Sequence, residues 1–406
     1  VTAEAAVHGS VRPGWEAVRE AFAHAQADDP GAAQLAVHHA GRPVVDLWTR
    51  STAATAGRPF GPDSVTVLMS VSKAMTATCA HLLAQRGRLD LAAPVARYWP
   101  EFRAAGKAHT TVADLLAHRA GLPAFTDDPA GTGLPGLLDW NARVRGLAAM
   151  RPLWEPGTAY HYHALTHGHL VGEVVRRVAG AGIGTYFARE VAGPLGLDLW
   201  MGLPRSAERR FVRQSALRPA PGAEQIDAAI GRLGLTPDDR TARFLSASAR
   251  ELAVAVAAFD TRRGRAAEIP AAGGIGDARS LSRLYAALVG EVDGVRLLSA
   301  ATVGRARAPH TDHLPPPGPL HRFDGPDRSR FGLGFELPRP GEPLLGEGPF
   351  GHAGAGGRLG MAHPENRLAV GYVCTAMSWE PSAGPDPRWL PWTEAVREAS
   401  ARAGRA

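Results

Sequence analysis

Val65-Thr66-Val67-Leu68-Met69-Ser70-Val71-Ser72-Lys73, residues 65–73 of a 406-residue chain, runs from a strand-like apolar stretch into a helix that extends to about Gly87. Residues three apart on a helix share a face, so Ser70 and Lys73 are expected to project side by side, one turn apart. A serine hydroxyl is a poor nucleophile until a base takes its proton. A lysine amine that is desolvated near the positive end of a helix loses enough basicity to serve. The same spacing also fits an N-capping serine followed by a solvated lysine, and the pattern alone leaves both readings open. Lysine is scarce here: of 45 basic residues only Lys73 and Lys107 are lysines, so a motif that demands lysine is hard to meet by accident.

Outward from this joint, the two ends of the chain read as strands. A helix with Trp15, Val18, Phe22 and Ala25 on one face is followed by alternating Leu35 and Val37, a turn at His39-Ala40-Gly41-Arg42, and alternating Val45 and Leu47. Near the other end Phe331, Leu333, Phe335 and Leu337 alternate. The stretch from Gly357 to His363 then turns at Pro364-Glu365-Asn366 into a strand from Leu368 to Cys374, and a closing helix follows Pro391. Between the ends the periodicity is mainly helical, with Met75, Cys79, Leu82 and Leu83 on one helix and Val171, Val174, Val175 and Val178 on another. These patterns predict an α+β fold: an antiparallel sheet built from both chain termini and flanked by helices, with an inserted mainly helical lobe. We read 1–406 as a single catalytic domain, its α/β lobe formed by 1–66 and 325–406 and its helical lobe by 67–324, with the active site between the lobes. The proline-rich stretch Pro309 to Arg330 is expected to be a mobile flap or surface loop.

Two further stretches carry chemistry. In Pro156-Gly157-Thr158-Ala159-Tyr160-His161-Tyr162-His163-Ala164, a phenol held at a turn and facing a lysine can serve as phenolate or proton shuttle, and Tyr162 is the candidate. A half-buried aromatic at a helix entrance is the other reading. In Gly351-His352-Ala353-Gly354-Ala355-Gly356-Gly357, glycines let backbone N–H groups approach a bound carbonyl. There the N–H of Ala355 and that of Ser70 are candidates for an oxyanion hole, with His352 as a polar wall. A glycine-rich turn before an edge strand accounts for the same residues.

In this order and at these separations the three motifs resemble those of the class C β-lactamase-like superfamily of serine β-lactamases, D,D-peptidases and carboxylesterases. The resemblance covers most of the chain and includes His118-Arg119-Ala120-Gly121-Leu122-Pro123 and Gly193-Pro194-Leu195-Gly196-Leu197-Asp198. It implies a β-lactamase/transpeptidase-like fold in which Ser70 is the nucleophile, Lys73 its base and Tyr162 the tyrosine of a Tyr-x-Asn element. His352-Ala353-Gly354 matches the Lys-Thr-Gly element. Ala164 stands where lactam-acting members carry asparagine, and His352 replaces a lysine that attracts a substrate carboxylate. Both departures point toward the esterase and transacylase branch. The expected reaction is hydrolysis of a small-molecule carboxylic ester or amide through a Ser70 acyl-enzyme. The alternative is transfer of the acyl group to an amine or alcohol acceptor, with β-lactamase or D,D-peptidase activity behind both. His352, Ala353, Gly354, His163 and Trp140 are the candidate substrate-binding residues.

Composition bounds the rest. A formal charge of +6 comes from arginines interspersed with acids rather than from a basic run, so no nucleic-acid partner is expected. The first fifteen residues hold no signal-peptide core, and no apolar run approaches a membrane span; a soluble, cytoplasmic protein is expected. The two cysteines, Cys79 and Cys374, read as small core residues. No cofactor and no metal are expected. His163 and His167 at helical spacing, with His161 and His169 nearby, raise a zinc hydrolase as a competing class, but the chain lacks a His-Glu-x-x-His signature. A non-catalytic binding module would require loss of the nucleophile or base, and both are present.

Overall fold

The computed structural model describes residues 6–50, 59–126, 133–216, 222–323, 328–342, 344–378 and 384–404. The strands are β1 (Val7–Val11), β2 (Ala33–His39), β3 (Arg42–Thr49), β4 (Thr66–Val67), β5 (Leu199–Met201), β6 (Ser215–Ala216) and β7 (Gly274–Gly276), followed by β8 (Arg330–Phe331), β9 (Glu336–Leu337), β10 (Phe350–Gly354), β11 (Arg358–His363), β12 (Leu368–Cys374) and β13 (Ala376–Met377). Eight of them form one sheet in the order β1-β3-β2-β12-β11-β10-β9-β8. The N-terminal hairpin joins the C-terminal strands through antiparallel β2 and β12, where Leu35 faces Tyr372 and Val37 faces Val370. The sheet is thus closed by both ends of the chain.

Both faces of the sheet are covered. On one face Leu35, Val37, Val370 and Tyr372 pack with Trp15, Val18 and Phe22 of the first helix and with Trp392 and Val396 of the helix Leu390–Ala403. On the other, Ala36, Ala369 and Val373 join Leu281 and Tyr285 of the helix Ala278–Val289 and the large core of the helical lobe. Burial on both faces explains why β12 reads as a continuous apolar run rather than an alternation. At the centre of the helical lobe lies Ser72–Gln85, whose residues Ser72 to Leu83 are all buried. The segment 67–324 is not purely helical: β4, β7 and β5 form a small sheet within and beside it, and the helix Ala278–Val289 packs on the main sheet.

Two local expectations are corrected. β1 pairs with β3 from Val7 to Val11, a strand the sequence reading omitted because its Gly9-Ser10 centre breaks the apolar alternation. The alternating run from Phe331 to Leu337 is not one strand but a tight β8–β9 hairpin with Phe331 opposite Glu336. Gly332 and Gly334 make that turn: a β-carbon on either would strike Ala306 O or the Ala77 side chain, and Gly334 has φ +84°. The described part of the proline-rich stretch is also tied down, since Tyr160 N–H donates to Pro315 O at 3.4 Å and Tyr160 Oη to Ser329 O at 2.7 Å.

Close approach of the helix Ala278–Val289 to the sheet depends on two glycines paired across strands, Gly360 of β11 and Gly371 of β12. A β-carbon at Gly360 would meet the Tyr285 ring, and one at Gly371 would lie 2.5 Å from Ala278 O. Gly371→Val is expected to destabilise the fold by about 3 kcal/mol through overpacking. Urea unfolding checks this as a lower midpoint at unchanged slope; an unchanged midpoint would contradict it.

Candidate active site

The chain enters the site through a short turn of 3-10 helix, Met69–Val71, between β4 and the Ser72–Gln85 helix. Met69 has φ +51°, an uncommon conformation for a residue with a side chain, and it sets Ser70 at the bend. Ser70 is partly exposed while its neighbours Met69, Val71 and Ser72 are buried. Ser72 Oγ bonds back to Met69 O at 2.6 Å and accepts Gly274 N–H at 2.8 Å, locking the turn to β7. Neither the capping nor the solvated-lysine reading holds, because the helix has no side-chain cap and Lys73 is 0% exposed.

Lys73 Nζ lies 2.8 Å from Ala164 O, 3.0 Å from Ala271 O and 3.3 Å from Ser70 Oγ. Burial lowers its pKa to about 7, partly opposed by the Glu336 carboxylate. A neutral amine has two N–H donors and one lone pair. With the two carbonyls on its donors, the neutral form would turn its lone pair to the Ser70 hydroxyl. The carbonyl of Ala271 reaches Lys73 because Gly168 has no side chain: a β-carbon there would collide with the Ala271 nitrogen. Thr76 Oγ1 holds the same loop through Pro270 O at 2.9 Å. The sequence reading missed the Pro270–Gly273 loop, because its contribution is a backbone carbonyl that any residue supplies.

Tyr162 stands over Lys73, with Nζ 4.7 Å from the ring centroid. Burial raises its phenol pKa well above the usual range, opposed by a side-chain hydrogen bond with Ser70. Two buried segments hold its loop. His161 N donates to His118 O at 3.3 Å, and His163 N donates to His118 Nδ1 at 3.0 Å, so His118 grips the peptide on either side of Tyr162. Leu122 N donates to His163 Nε2 at 3.1 Å, and Thr166 Oγ1 to Leu122 O at 2.7 Å. Phe331 stacks on Tyr162 at 5.7 Å and meets His118 edge-on at 4.5 Å. His118 and Phe331 were not assigned roles from sequence, although His118 lies in a motif that carried the resemblance.

On the sheet side, β10 abuts the Ser70 turn so closely that a β-carbon at Gly354 would strike Leu68 O. Gly354 O accepts Gly357 N–H at 3.0 Å, so across this trans peptide the Ala355 N–H points away from β11. The fully buried Arg358 fixes the next carbonyl, Nη1 to Ala355 O at 3.0 Å. The His352 ring is 6.1 Å from that of Tyr162 and 6.3 Å from Phe331.

The structure therefore brings Ser70, Lys73 and Tyr162 together and sets His352 and the Ala353-Gly354-Ala355 strand end beside them. It gives two candidate binding residues other surroundings. His163 is 0% exposed, with Nδ1 on His161 O at 2.6 Å and Nε2 on Leu122, so its ring is occupied in holding the loop. Trp140 donates its indole N–H to Glu173 at 2.9 Å and packs on His169 and Gly172. The helix bearing His167 begins at Thr166, so His163 and His167 do not share a helical face as a zinc pair would.

His118→Ala removes the side-chain grip on the Tyr162 loop, the bond from His163 N to Nδ1, while the backbone bond from His161 N remains, and kcat is expected to fall about 10²-fold with a smaller change in KM. His118→Asn, whose amide oxygen can accept the His163 N–H, is expected to recover most of the loss. Steady-state kinetics of the two variants checks this; equal losses would assign His118 a merely structural part.

Comparison with known proteins agrees with this geometry. The beta-lactamase family profile matches residues 18–390. The esterase/beta-lactamase LipL of Mycobacterium tuberculosis is 36% identical over 354 residues, which is 84% of this chain and 76% of that protein. A family VIII carboxylesterase structure superposes with a TM-score of 0.81 at 32% identity, covering 97% of this chain and 100% of the other. EstA from Arthrobacter nitroguajacolicus does so with a TM-score of 0.80 at 32% identity, covering 97% and 98%. A sheet closed by both termini, a serine and lysine one turn apart at its edge, and these matches across nearly the whole length lead to one conclusion: the chain belongs to the beta-lactamase family.

Proposed function

We propose that this protein is a serine hydrolase that cleaves a small-molecule carboxylic ester through an acyl-enzyme on Ser70. The observation that carries the reading is the buried amine of Lys73, whose Nζ lies within hydrogen-bond reach of two carbonyls and 3.3 Å from Ser70 Oγ. Esterase activity is what the names of its relative LipL and of its structural neighbour, a family VIII carboxylesterase, describe for those proteins. The missing asparagine at Ala164 and the histidine at position 352 favour an ester over a lactam bearing a carboxylate.

In the first step Ser70 Oγ forms a bond to the substrate carbonyl carbon as its proton passes to Lys73 Nζ. The carbonyl oxygen gains the negative charge, and the N–H groups of Ser70 and Ala355 receive it. Collapse breaks the bond to the alcohol oxygen, which takes the proton from Lys73 by way of the Tyr162 hydroxyl. Burial of Tyr162 assigns it the part of a neutral relay rather than a phenolate, because ionising it there is costly. Water then repeats the steps in reverse order of protonation and releases the acid; an amine or alcohol in place of water would give transfer.

Intact mass spectrometry after brief exposure to p-nitrophenyl acetate is expected to show an acetyl adduct on the wild type and none on Ser70→Ala. An adduct that persists in Ser70→Ala would refute the assignment. Lys73→Ala and Tyr162→Phe should each lower kcat/KM by about 10²–10⁴-fold.

The pH profile tests the base. Lys73 must be neutral to accept a proton, and its pKa is lowered to about 7, so kcat/KM is expected to rise with pH and level off above that value. The limb should vanish in Lys73→Ala; a profile of the same shape in that variant would remove Lys73 from the role.

A further inference from the structure

The edge of β10 that faces Ser70 carries two polar groups that the proposed acyl transfer does not use. Successive residues of an antiparallel strand direct their N–H and C=O groups to alternate edges. Gly354 O bonds to Gly357 within the β10–β11 hairpin, so Ala353 addresses the opposite edge, where Gly351 pairs with Glu336 of β9. Past that pair β9 turns back through Gly334, and side chains satisfy the Ala353 peptide groups instead. Its N–H donates to Glu336 Oε2 at 2.9 Å, and its carbonyl accepts from His352 Nδ1 at 2.7 Å.

These two bonds define what the edge offers a ligand. A proton on Nδ1 leaves Nε2 of a neutral imidazole as an acceptor, and His352 Nε2 is buried with no hydrogen-bond partner among the described residues. The Glu336 carboxylate, whose side chain is 24% exposed, lies 3.6 Å from the same ring. Nearby Arg339 is paired with Glu342 at 3.7 Å, and Lys73 Nζ is held by two carbonyls. Burial raises the Glu336 pKa, while the Ala353 N–H, Arg339 and Lys73 lower it; its carboxyl and His352 Nε2 are the acceptors this edge offers. Because the His352 ring neighbours Tyr162, the proposed proton donor to the departing oxygen, this edge lies on the leaving-alcohol side.

Resting on the Ser70 acyl-enzyme reading, we infer that the site selects esters whose alcohol portion carries an ammonium or other hydrogen-bond donor, held by Glu336 and His352 Nε2, and disfavours those carrying a carboxylate. A donor on the substrate fills the unpartnered imidazole nitrogen and meets the carboxylate in a charge-assisted bond. A carboxylate there leaves Nε2 unpartnered and faces a like charge.

Three acetate esters with similar leaving phenols test this: 4-(aminomethyl)phenyl, 4-methylphenyl and 4-(carboxymethyl)phenyl acetate. All give the same acetyl-enzyme, so differences in kcat/KM report the alcohol portion alone, and Ser70→Ala supplies the blank. In the wild type the cationic ester is expected to exceed the anionic one about tenfold or more after correction for uncatalysed hydrolysis. Glu336→Gln should reduce that ratio to about threefold or less, and His352→Lys should raise the anionic ester relative to the neutral one. A wild-type ratio near one, or a ratio unchanged in a Glu336→Gln enzyme that still turns over the neutral ester, overturns the selection while leaving the Ser70 reading intact. Turnover of all three esters by Ser70→Ala overturns that reading itself, and the selection with it.

Discussion

An amine buried without an ionic partner in contact is the constraint around which the helical lobe and the sheet edge are arranged. Lys73 is 0% exposed, and a charge there would lose its hydration with only partial compensation from the Glu336 carboxylate, so the group is held near the point where it gives up its proton. A neutral amine still needs acceptors for its two N–H groups. That requirement draws the Tyr162 loop, through Ala164 O, and the Pro270–Gly273 loop, through Ala271 O, to one nitrogen. Gly168 makes room for the second loop, while Ser72 and Thr76, on the same helix as Lys73, hold its two ends. The contacts that hold Lys73 thereby also set it 3.3 Å from Ser70 Oγ.

The surroundings follow the same logic. His118, His163, His167 and His352 are all buried, and desolvation, with Lys73 adding to it, lowers the pKa of each. As neutral rings they supply donors and acceptors without adding charge that would compete with Lys73 for protons. His118 and His163 spend theirs on the backbone of the Tyr162 loop, which explains why a phenol on a loop is held as firmly as one on a helix. Of the arginines, Arg358 reaches the edge of the site through Ala355 O. Many are paired at the surface, such as Arg213 with Asp260 and Arg279 with Asp46. Exposed pairs of this kind contribute little to stability, and they consume much of the chain's basic excess in local contacts.

Much of the architecture was legible in the chain because its signals are local. Apolar alternation at 33–49 and the apolar run at 368–374 mark strands whether or not their partners are known, and the stripe along Thr166–Ala179 marks a helix. The run at 331–337 misled for the same reason: every second residue is apolar and buried, but the glycines between them fold it into a hairpin against Ala77 and Ala306. Trp140 and His163 were plausible site residues by type and position. Which face each presents depends on partners far along the chain, Glu173 for one and Leu122 for the other.

The sequence by itself pointed to the Ser70–Lys73 pairing, because a spacing of three brings two side chains to one face of a helical turn; the structure places Ser70 in the 3-10 turn that leads into the helix of Lys73. The sequence also determined that both termini build one sheet, and that Tyr162 precedes a helix. Only the tertiary structure decided that Lys73 is dry and its pKa lowered, that its acceptors are the carbonyls of Ala164 and Ala271, and that His118 carries the Tyr162 loop. The same holds for Glu336 and the bare nitrogen of His352 on the edge of β10. The physical reason is common to them all. Backbone carbonyls are the same in every residue and leave no mark in a sequence, and desolvation is a property of everything packed around a group rather than of the group itself.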